Sequence, residues 1–300
     1  MLVQNPWAKW EDKADFEVPT ATLQVYDYIA KELMNREGGT VLRASAATLC
    51  AKRRQLQRLG TEGTPLTPRK IVNFILGDLT EMVVKYYIGQ ACVGDGKLYR
   101  QVNFGDEINS IDIQGKEVKM YSQLEWTTKF KDLEVKGHPD GIGLRNLDNK
   151  WELIEVKSSA NWGFSGFQKE GPGDYLKQSC TLMLSNEARE LGIDTVRFWY
   201  LRKETGHLWD RLESFSKEIA DRVEDEYLAA ESDVPISAPH RLVNEMAGYG
   251  AKKKPTGRMI ATFPCTYCPY LEKCHGSFRV DWKGDQWGNS KPIQVFERRS

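Results

Sequence analysis

The sequence predicts a mixed α/β fold, with a helical lobe towards its N-terminal end and a small cysteine-bearing cap towards its C-terminal end. Three observations predict it. Apolar residues recur at helical spacing in the first 90 residues. Between about 97 and 158 the apolar period changes to two, as in half-buried strands. Three cysteines then fall within ten residues, 265–274. Helices followed by a mostly antiparallel sheet, then helix, strand and helix, indicate an α/β domain.

The first third of the chain carries the helical signals. Residues 19–36 have helical spacing, and Ser45 is a candidate N-cap for a helix that ends near Leu59. Thr67 and Pro68 form a start signal, because proline suits the first position of a helix. We therefore expect a long helix from Pro68, with apolar residues along one side.

The alternating pattern continues through the middle of the chain. It predicts strands at 133–136, 141–147, 151–158 and 194–202. A Gly-Pro-Gly-Asp break precedes a helix of about 174–191, and a charged helix is expected at 212–231.

Composition excludes several classes of protein. Lys plus Arg and Asp plus Glu are 42 each, so the formal net charge is 0 and any DNA affinity must come from local patches. The most apolar long stretch, 71–88, carries charged residues and cannot span a bilayer. The first residues lack an apolar signal core. We expect a soluble, cytoplasmic protein without membrane contact, whose six cysteines are thiols or metal ligands rather than disulfides.

An acidic constellation is the most informative feature. Asp140 is expected at a turn that enters one strand, and Glu155 and Lys157 are two residues apart on the next, so they project from one face. Val156 points to the opposite face. Two carboxylates beside an ammonium group suit phosphodiester hydrolysis, since carboxylate oxygens are the ligands that Mg²⁺ and Mn²⁺ prefer. A nearby lysine can orient the attacking water and stabilise the developing charge.

A plainer interpretation of these residues is a surface hairpin with a solvated ion pair worth under ~1 kcal/mol. Three features favour a site. The strand around Glu155 is otherwise apolar, so this carboxylate is expected to be buried and to need a partner. Gly137 and Gly141 bracket Asp140. The long helix also carries Glu81, which could dock on the same sheet face.

Four motifs occur in order along the chain: Gly77-x-x-x-Glu81, Gly137-x-x-Asp140, Glu155-Val156-Lys157 and Tyr175-x-x-Gln178. Together they resemble the PD-(D/E)XK nuclease superfamily, specifically its RecB-type branch. The resemblance implies a restriction-endonuclease-like core with a mixed central sheet flanked by helices. Two positions differ from the pattern. Residue 81 is Glu where His is common in this branch, and residue 182 is Leu where Tyr is expected.

The resemblance also implies roles for individual residues. Glu81, Asp140 and Glu155 would hold one or two Mg²⁺ or Mn²⁺ ions, with the Val156 carbonyl as an extra ligand. Lys157 would be the catalytic lysine. Gln178 would lie near that lysine or the DNA backbone, and Tyr175 is a candidate to replace the missing tyrosine.

The cysteine segment is hard to explain as core packing. Cys265 and Cys268 have the spacing of two thiols that chelate one centre, and Cys274 follows. Cys50 is the candidate fourth ligand because it precedes a basic run, and His275 is a weaker candidate. Sulfur ligands fit zinc or an iron–sulfur centre. The remaining cysteines, Cys92 and Cys180, are interpreted as buried small residues.

The cysteine order extends the resemblance. One cysteine before the first nuclease motif and three after the last resemble the iron staple of AddB-type and CRISPR-associated adaptation nucleases. The resemblance implies a 4Fe-4S cluster held by Cys50, Cys265, Cys268 and Cys274, with zinc as the alternative.

Two basic clusters and three aromatic residues allow two interpretations each. The runs around 52–58 and 252–258 are either solvated surface or a phosphate track that leads to the acidic site. Trp162, Phe164 and Phe167 are expected in a loop, where they either stack on bases or pack in the core.

The resemblance implies a metal-dependent DNA exonuclease that acts at DNA ends or on single strands, in recombination, repair, phage or CRISPR DNA processing. No Gly-x4-Gly-Lys-Ser/Thr motif is present, so unwinding would need a helicase or recombination partner. Alternatives are a structure-specific endonuclease and a non-catalytic DNA-binding scaffold subunit. The predicted division is an N-terminal arm and helical lobe at 1–66, a nuclease core at 67–235 and a cap at 236–300.

Overall fold

A computed structural model gives the fold of most of the chain. It describes residues 42–63, 68–159, 161–237, 243–247, 254–260, 265, 268–275, 278–283 and 293–298. The helix predicted at 19–36 lies outside these residues. The chain divides into two compact units, Met1–Gly39 with Pro65–Asp78 and Thr40–Thr64 with Leu79–Ser300. All candidate site residues belong to the second unit, and the three-part division of the chain stays a prediction.

The N-terminal part of the described chain begins with β1 (Leu42–Arg43), a 3₁₀ helix (Ala44–Thr48), α1 (Ala51–Arg58) and α2 (Pro68–Ala91). The continuous helix predicted from Ser45 to Leu59 is wrong. The Thr48 hydroxyl donates to the Ser45 carbonyl and closes the 3₁₀ turn. Extended backbone at Leu49 and Cys50 then interrupts the helix, so that Cys50 becomes the N-cap of α1. The helix from Pro68 is confirmed.

A mixed five-stranded sheet forms the centre. Its strands are β2 (Tyr99–Asn103), β7 (Gly141–Arg145), β8 (Trp151–Ser159), β9 (Thr195–Arg202) and β10 (Leu208–Ser214), in the order β10-β9-β8-β7-β2. Only β8 and β9 pair in parallel within this sheet; its other neighbours are antiparallel. The mixed α/β prediction is confirmed.

Three smaller sheets complete the strands. A hairpin joins β3 (Glu107–Ile113) to β4 (Lys116–Tyr121), and β5 (Trp126–Phe130) with β6 (Leu133–Gly137) forms a sheet with β1. The C-terminal sheet has the order β11-β12-β14-β13, with strands Val243–Ala247, Lys254–Ile260, Ile293–Arg298 and Phe278–Lys283. Residues 254–258, which belong to the second basic run, therefore lie in a strand.

The remaining helices are α3 (Asn161–Glu170), α4 (Tyr175–Met183), α5 (Asn186–Glu190), α6 (Lys217–Glu231) and α7 (Leu271–Cys274). The single helix predicted at 174–191 is wrong: Ser185 is extended, and its hydroxyl accepts from the Ala188 amide to begin α5. The helix predicted at 212–231 begins later, because Ser216 caps it and the preceding residues form β10. None of the helices in the described ranges is long and apolar enough to cross a membrane.

The two faces of β8 pack against different helices. On one face, Leu153 packs with residues of α3, α4 and α6. On the other, Ile154 and Val156 pack with Val84 and Ile88 of α2. The sheet is therefore a layer between α2 and the other three helices, and residues of β8 alternate between two cores.

Helix α4 lies against β6 at a glycine. A Cβ at Gly137 would lie 2.7 Å from the Ala44 Cβ and would collide with the Leu182 side chain. Leu182 is buried in the core. The leucine at this position, where the family pattern has tyrosine, is therefore a packing residue.

Candidate active site

Asp140, Glu155 and Lys157 meet at the end of the β7–β8 pair. The Lys157 Nζ lies 2.6 Å from Glu155 Oε2 and 3.7 Å from Asp140 Oδ2. Asp140 directly precedes β7, whose first residue Gly141 pairs with Ile154 of β8. This register brings Asp140 next to the segment that carries the other two side chains, as the sequence predicted.

The main chain of β8 holds Asp140 in place. The Val156 amide donates a 2.6 Å hydrogen bond to Asp140 Oδ2. Because the N–H and C=O of a strand residue point to the same edge, the Val156 carbonyl also faces the side of Asp140. This orientation favours the predicted role of Val156 as a carbonyl ligand, which stays a prediction.

Glu155 is a buried carboxylate with an unused oxygen. Its side chain is fully enclosed, and within the described part of the chain its Oε1 has no hydrogen-bond partner. Burial raises the pKa of Glu155, and the negative charges of Asp140 and Glu81 raise it further, whereas Lys157 lowers it. An enclosed oxygen without a partner is costly unless a cation or donor reaches it.

Lys157 is held in its charged form. Burial opposes the charge, but Glu155 and Asp140 outweigh this effect and hold the pKa of Lys157 above its ordinary value. The Nζ also lies 5.5 Å from the centre of the Tyr175 ring, a cation–π contact from α4.

Glu81 belongs to the same electrostatic cluster but arrives from the other face of the sheet. Burial and the charge of Asp140 raise the pKa of Glu81, while Lys85, whose Nζ lies 2.5 Å from Glu81 Oε1, lowers it. Helix α2 packs on the face of Ile154, and Glu81 still interacts electrostatically with Asp140 and Glu155, so its role as a metal ligand stays a prediction. Lys85 was missed, although its i, i+4 spacing from Glu81 was a usable signal.

Gln178 stands one helical turn after Tyr175 on α4. Residues three apart are neighbours on a helix surface, so Gln178 and Tyr175 share one side of α4. The Tyr175 ring faces Lys157. The role of Gln178 near the lysine or the DNA stays a prediction.

The donor set suits a hard divalent cation. Three carboxylates interact electrostatically here, and two of them have raised pKa values that a cation would relieve. The unused Glu155 Oε1 is an available ligand atom. Across the described ranges, no three His, Cys, Asp or Glu side chains stand close enough to hold one metal ion.

The four predicted cluster cysteines are neighbours in the fold. Burial raises the pKa of Cys265 to about 12, and Cys50, Cys268 and Cys274 add to the rise. Burial likewise raises the pKa of Cys274 to about 11, with Cys268 and Cys50 contributing. Thiols 215 residues apart in sequence thus influence one another, as Cys50 and Cys265 do.

The other two cysteines differ from one another. Cys180 is fully buried, as predicted, whereas Cys92 is only half-buried at the end of α2. The prediction is therefore confirmed for Cys180 and holds only in part for Cys92, which is partly exposed although it packs against the core around Val84 and Ile88.

Two of the four residues of the first basic cluster serve packing. Arg54 is buried, lies 2.8 Å from Glu226 and stands over the Tyr227 ring. Arg58 donates to the Ala230 and Ser232 carbonyls at the end of α6. These two arginines dock α1 on α6, so their interpretation as a phosphate track is wrong. Residues 252 and 253 lie outside the described residues.

The aromatic residues predicted in a loop lie on α3. Phe164 and Phe167 are buried, and the Phe167 ring stacks on Tyr200 with centroids 4.2 Å apart. They pack in the core and do not stack on bases. The side chain of Trp162 lies outside the described residues.

No protein family model matches the chain, and no curated protein matches it. Among solved structures, the chain is similar to a protein crystallised as SSO0001, with 14% identity, a TM-score of 0.44 and coverage of 86% of this chain and 97% of that chain. It is also similar to the alkaline exonuclease LHK-Exo from Laribacter hongkongensis, with 18% identity, a TM-score of 0.36 and coverage of 64% and 86%. For the same enzyme in complex with dAMP, the identity is 17% and the TM-score is 0.37, with coverage of 68% of this chain and 89% of that chain. All three TM-scores lie below 0.5, so function must be argued from the residues of this chain.

Proposed function

We propose that this protein is a metal-dependent DNA nuclease of the RecB-type PD-(D/E)XK branch. The observation that carries the proposal is the meeting of Asp140, Glu155 and a charged Lys157 around a buried, unused carboxylate oxygen. Two acids and a lysine at the end of adjacent strands supply the ligands and the cation that phosphodiester hydrolysis needs.

Each side chain has a role in this proposal. Glu81, Asp140, Glu155 and the Val156 carbonyl hold one or two Mg²⁺ or Mn²⁺ ions. When bound, such an ion lowers the pKa of water and neutralises phosphate charge. Lys157 donates to the attacking water or to a phosphate oxygen. Gln178, beside Tyr175 on α4, positions the lysine or the DNA backbone.

A nuclease assay tests this proposal directly. Lys157→Met keeps the length of the side chain but removes its charge, and we expect Mn²⁺-dependent DNA hydrolysis to fall about 100- to 1000-fold. Lys119→Met is the matched control, because Lys119 is a half-exposed lysine of β4 whose partner is Glu107. Full activity in the Lys157 variant would exclude the mechanism. Inactive wild-type protein that still binds DNA would instead favour the scaffold alternative.

Exonuclease action is the preferred mode, because the motif order is that of the RecB-type branch. A structure-specific endonuclease is the alternative use of the same site. End-labelled linear DNA and closed circular DNA distinguish them: an exonuclease degrades only the linear substrate. Unwinding by a helicase or recombination partner belongs to the same proposal.

We propose further that Cys50, Cys265, Cys268 and Cys274 hold a 4Fe-4S cluster, with zinc as the alternative. The support is chemical: Cys50 and Cys268 lie close enough to Cys265 and Cys274 to raise the pKa values of those two thiols, and four neighbouring thiols form a soft ligand set that a metal centre would stabilise as thiolates. Cys92→Ser is the control for Cys265→Ser. Iron, sulfide and zinc contents of anaerobically purified protein decide between the two centres, and a Cys265→Ser protein with an unchanged metal content would contradict both.

A further inference from the structure

A groove lies at the far end of β9, between α3 and the β9–β10 hairpin. It encloses about 370 Å³. Ser165 and Gln168 line it from α3, and Arg202, His207 and Trp209 line it from the hairpin. None of these residues belongs to the acidic cluster, and the predicted nuclease motifs do not include them. The groove therefore needs its own explanation.

The groove opens on the sheet face that carries the candidate catalytic lysine. In the parallel β8–β9 pair, Lys157 is opposite Tyr200 and Ser159 is opposite Arg202. Because residues two apart share a face, Arg202 is on the side of Lys157 and about 7 Å further along the strands.

Packed side chains connect the two positions. The Tyr200 and Ser159 side chains share a hydrogen bond, and the Tyr200 ring stacks on Phe167. Tyr200 is buried, and Lys157 lies within its electrostatic influence. Tyr200 and Ser159, which lie between the lysine and the groove, are thus packed under α3 and belong to the core.

The groove presents one cation and one flat apolar surface. Arg202 Nε is enclosed and has no hydrogen bond within the described residues; its ion-pair partner Glu204 lies 3.9 Å away, beyond hydrogen-bond distance. Trp209 is opposite Tyr200 in the β9–β10 pair, so it stands on the same face as Arg202. Nearly half of the Trp209 side chain, 47%, is exposed. A guanidinium donor beside an exposed indole matches a phosphate joined to a planar base.

We propose that this groove binds a nucleotide of single-stranded DNA next to the phosphate that is cleaved, with its base on Trp209 and its phosphate on Arg202. This inference rests on the proposed nuclease function, since that function places a DNA strand at Lys157. The groove then selects single strands over duplex, because a paired base cannot leave its stack to lie on the indole.

Binding is measured by fluorescence anisotropy of a labelled single-stranded oligonucleotide with uncleavable phosphorothioate linkages, using the whole protein with Ca²⁺. Trp209→Ala and Arg202→Ala are each expected to weaken binding about tenfold, within the range of base stacking on an aromatic residue. Trp209→Phe keeps a flat ring and restores most of the affinity. Gln168→Glu, at an exposed position of the rim, adds a negative charge and weakens binding without altering the core.

Leu147→Ala is the matched control, because Leu147 is 95% exposed in the turn at the opposite end of β8. A second readout is hydrolysis of bis(p-nitrophenyl) phosphate, a small diester that does not extend into the groove. Trp209→Ala and Arg202→Ala leave this hydrolysis unchanged, whereas Lys157→Met abolishes it.

The outcomes separate the two proposals. Wild-type affinity in Trp209→Ala and Gln168→Glu overturns the groove inference, whatever the activity of the protein. An equal loss in Leu147→Ala also overturns it, because the effect would not be specific to the groove. If no wild-type hydrolysis of DNA or of the small diester occurs, yet the groove variants still weaken DNA binding, the nuclease proposal fails and with it the position next to a cleaved phosphate, whereas the binding of single-stranded DNA in the groove stands.

Discussion

Two glutamates three residues apart on β8 are both fully buried, and their surroundings are opposite. Glu152 accepts 2.7 Å hydrogen bonds from the Tyr99 hydroxyl and the Arg197 Nε, and Arg145 lies 3.3 Å from its second oxygen. Both of its oxygens are therefore used. Its charge is balanced by the fold itself.

Glu155 has only one such partner. Lys157 reaches Oε2 at 2.6 Å, and the other oxygen has none among the described residues. The two residues show that the fold can satisfy both oxygens of a buried carboxylate, as at Glu152, or leave one oxygen incompletely satisfied, as at Glu155. An incomplete carboxylate beside other acids is the expected state of a metal ligand before its ion is present.

The largest expected difference is in catalysis. Glu155→Gln removes a metal ligand, and we expect Mn²⁺-dependent nuclease activity to fall at least about 100-fold. Glu152→Gln is the matched control and keeps its activity per folded molecule, because Glu152 does not touch the cluster. Specific activities on linear single-stranded DNA, normalised to folded protein, check this. Equal losses in both variants would break the comparison.

The second expected difference between the two variants is in the free energy of unfolding, and here Glu152→Gln has the larger effect. Glu152→Gln leaves two arginines without their full counter-charge, so the free energy of unfolding falls by about 3–5 kcal/mol. Glu155→Gln has a smaller effect, because it removes a charge that the fold only half balances. Urea unfolding in the presence of a chelator measures both values. A larger loss in Glu155→Gln would contradict the assignment of roles.

Metal binding sharpens the same comparison. At an Mn²⁺ concentration of about 100 times its dissociation constant, linkage stabilises the wild-type protein by about 2.7 kcal/mol. The same stabilisation is expected in Glu152→Gln and is absent in Glu155→Gln. Thermal unfolding with and without Mn²⁺ gives the shift, and a full shift in the Glu155 variant would place the ion elsewhere.

The smallest expected effect concerns the helix that faces Lys157. Gly137→Ala forces a methyl group against Ala44 and Leu182, and we expect a loss of about 1–3 kcal/mol with a displaced α4. Gly166→Ala is the control, since no atom lies within 4 Å of its Cβ position on α3; helix propensity predicts a gain of about 1 kcal/mol. Thermal unfolding compares the two variants. A Gly137→Ala protein with unchanged stability would show that Ala44 and Leu182 can move to accommodate the methyl group.

The sequence predicted the local features that depend on neighbouring residues. The helix start at Pro68, the alternating strands and the convergence of Asp140, Glu155 and Lys157 all follow from spacing and register. The break at Cys50 was not predicted, because it depends on how the 3₁₀ turn packs. The burial of Arg54 was not predicted either, since a basic helix face is interpreted as solvent-exposed until a partner such as Glu226 is known.

Long-range pairing explains the remaining differences. The face on which α2 packs is set by contacts of Val84 and Ile88 with β8, and nothing in the helix itself selects one face of the sheet. The groove beside Trp209 likewise needs β10, which was not among the predicted strands. The full burial of Glu152 also depends on distant partners, so sequence alone could not separate it from Glu155.

The amide that anchors Asp140 has a consequence for how the Glu-x-Lys segment can vary. Because the anchor belongs to the main chain of residue 156, nearly any apolar side chain there preserves the hold on the acid. Proline alone lacks the proton and would release it. The residue between the glutamate and the lysine can therefore vary in its side chain, but it must keep its backbone N–H group.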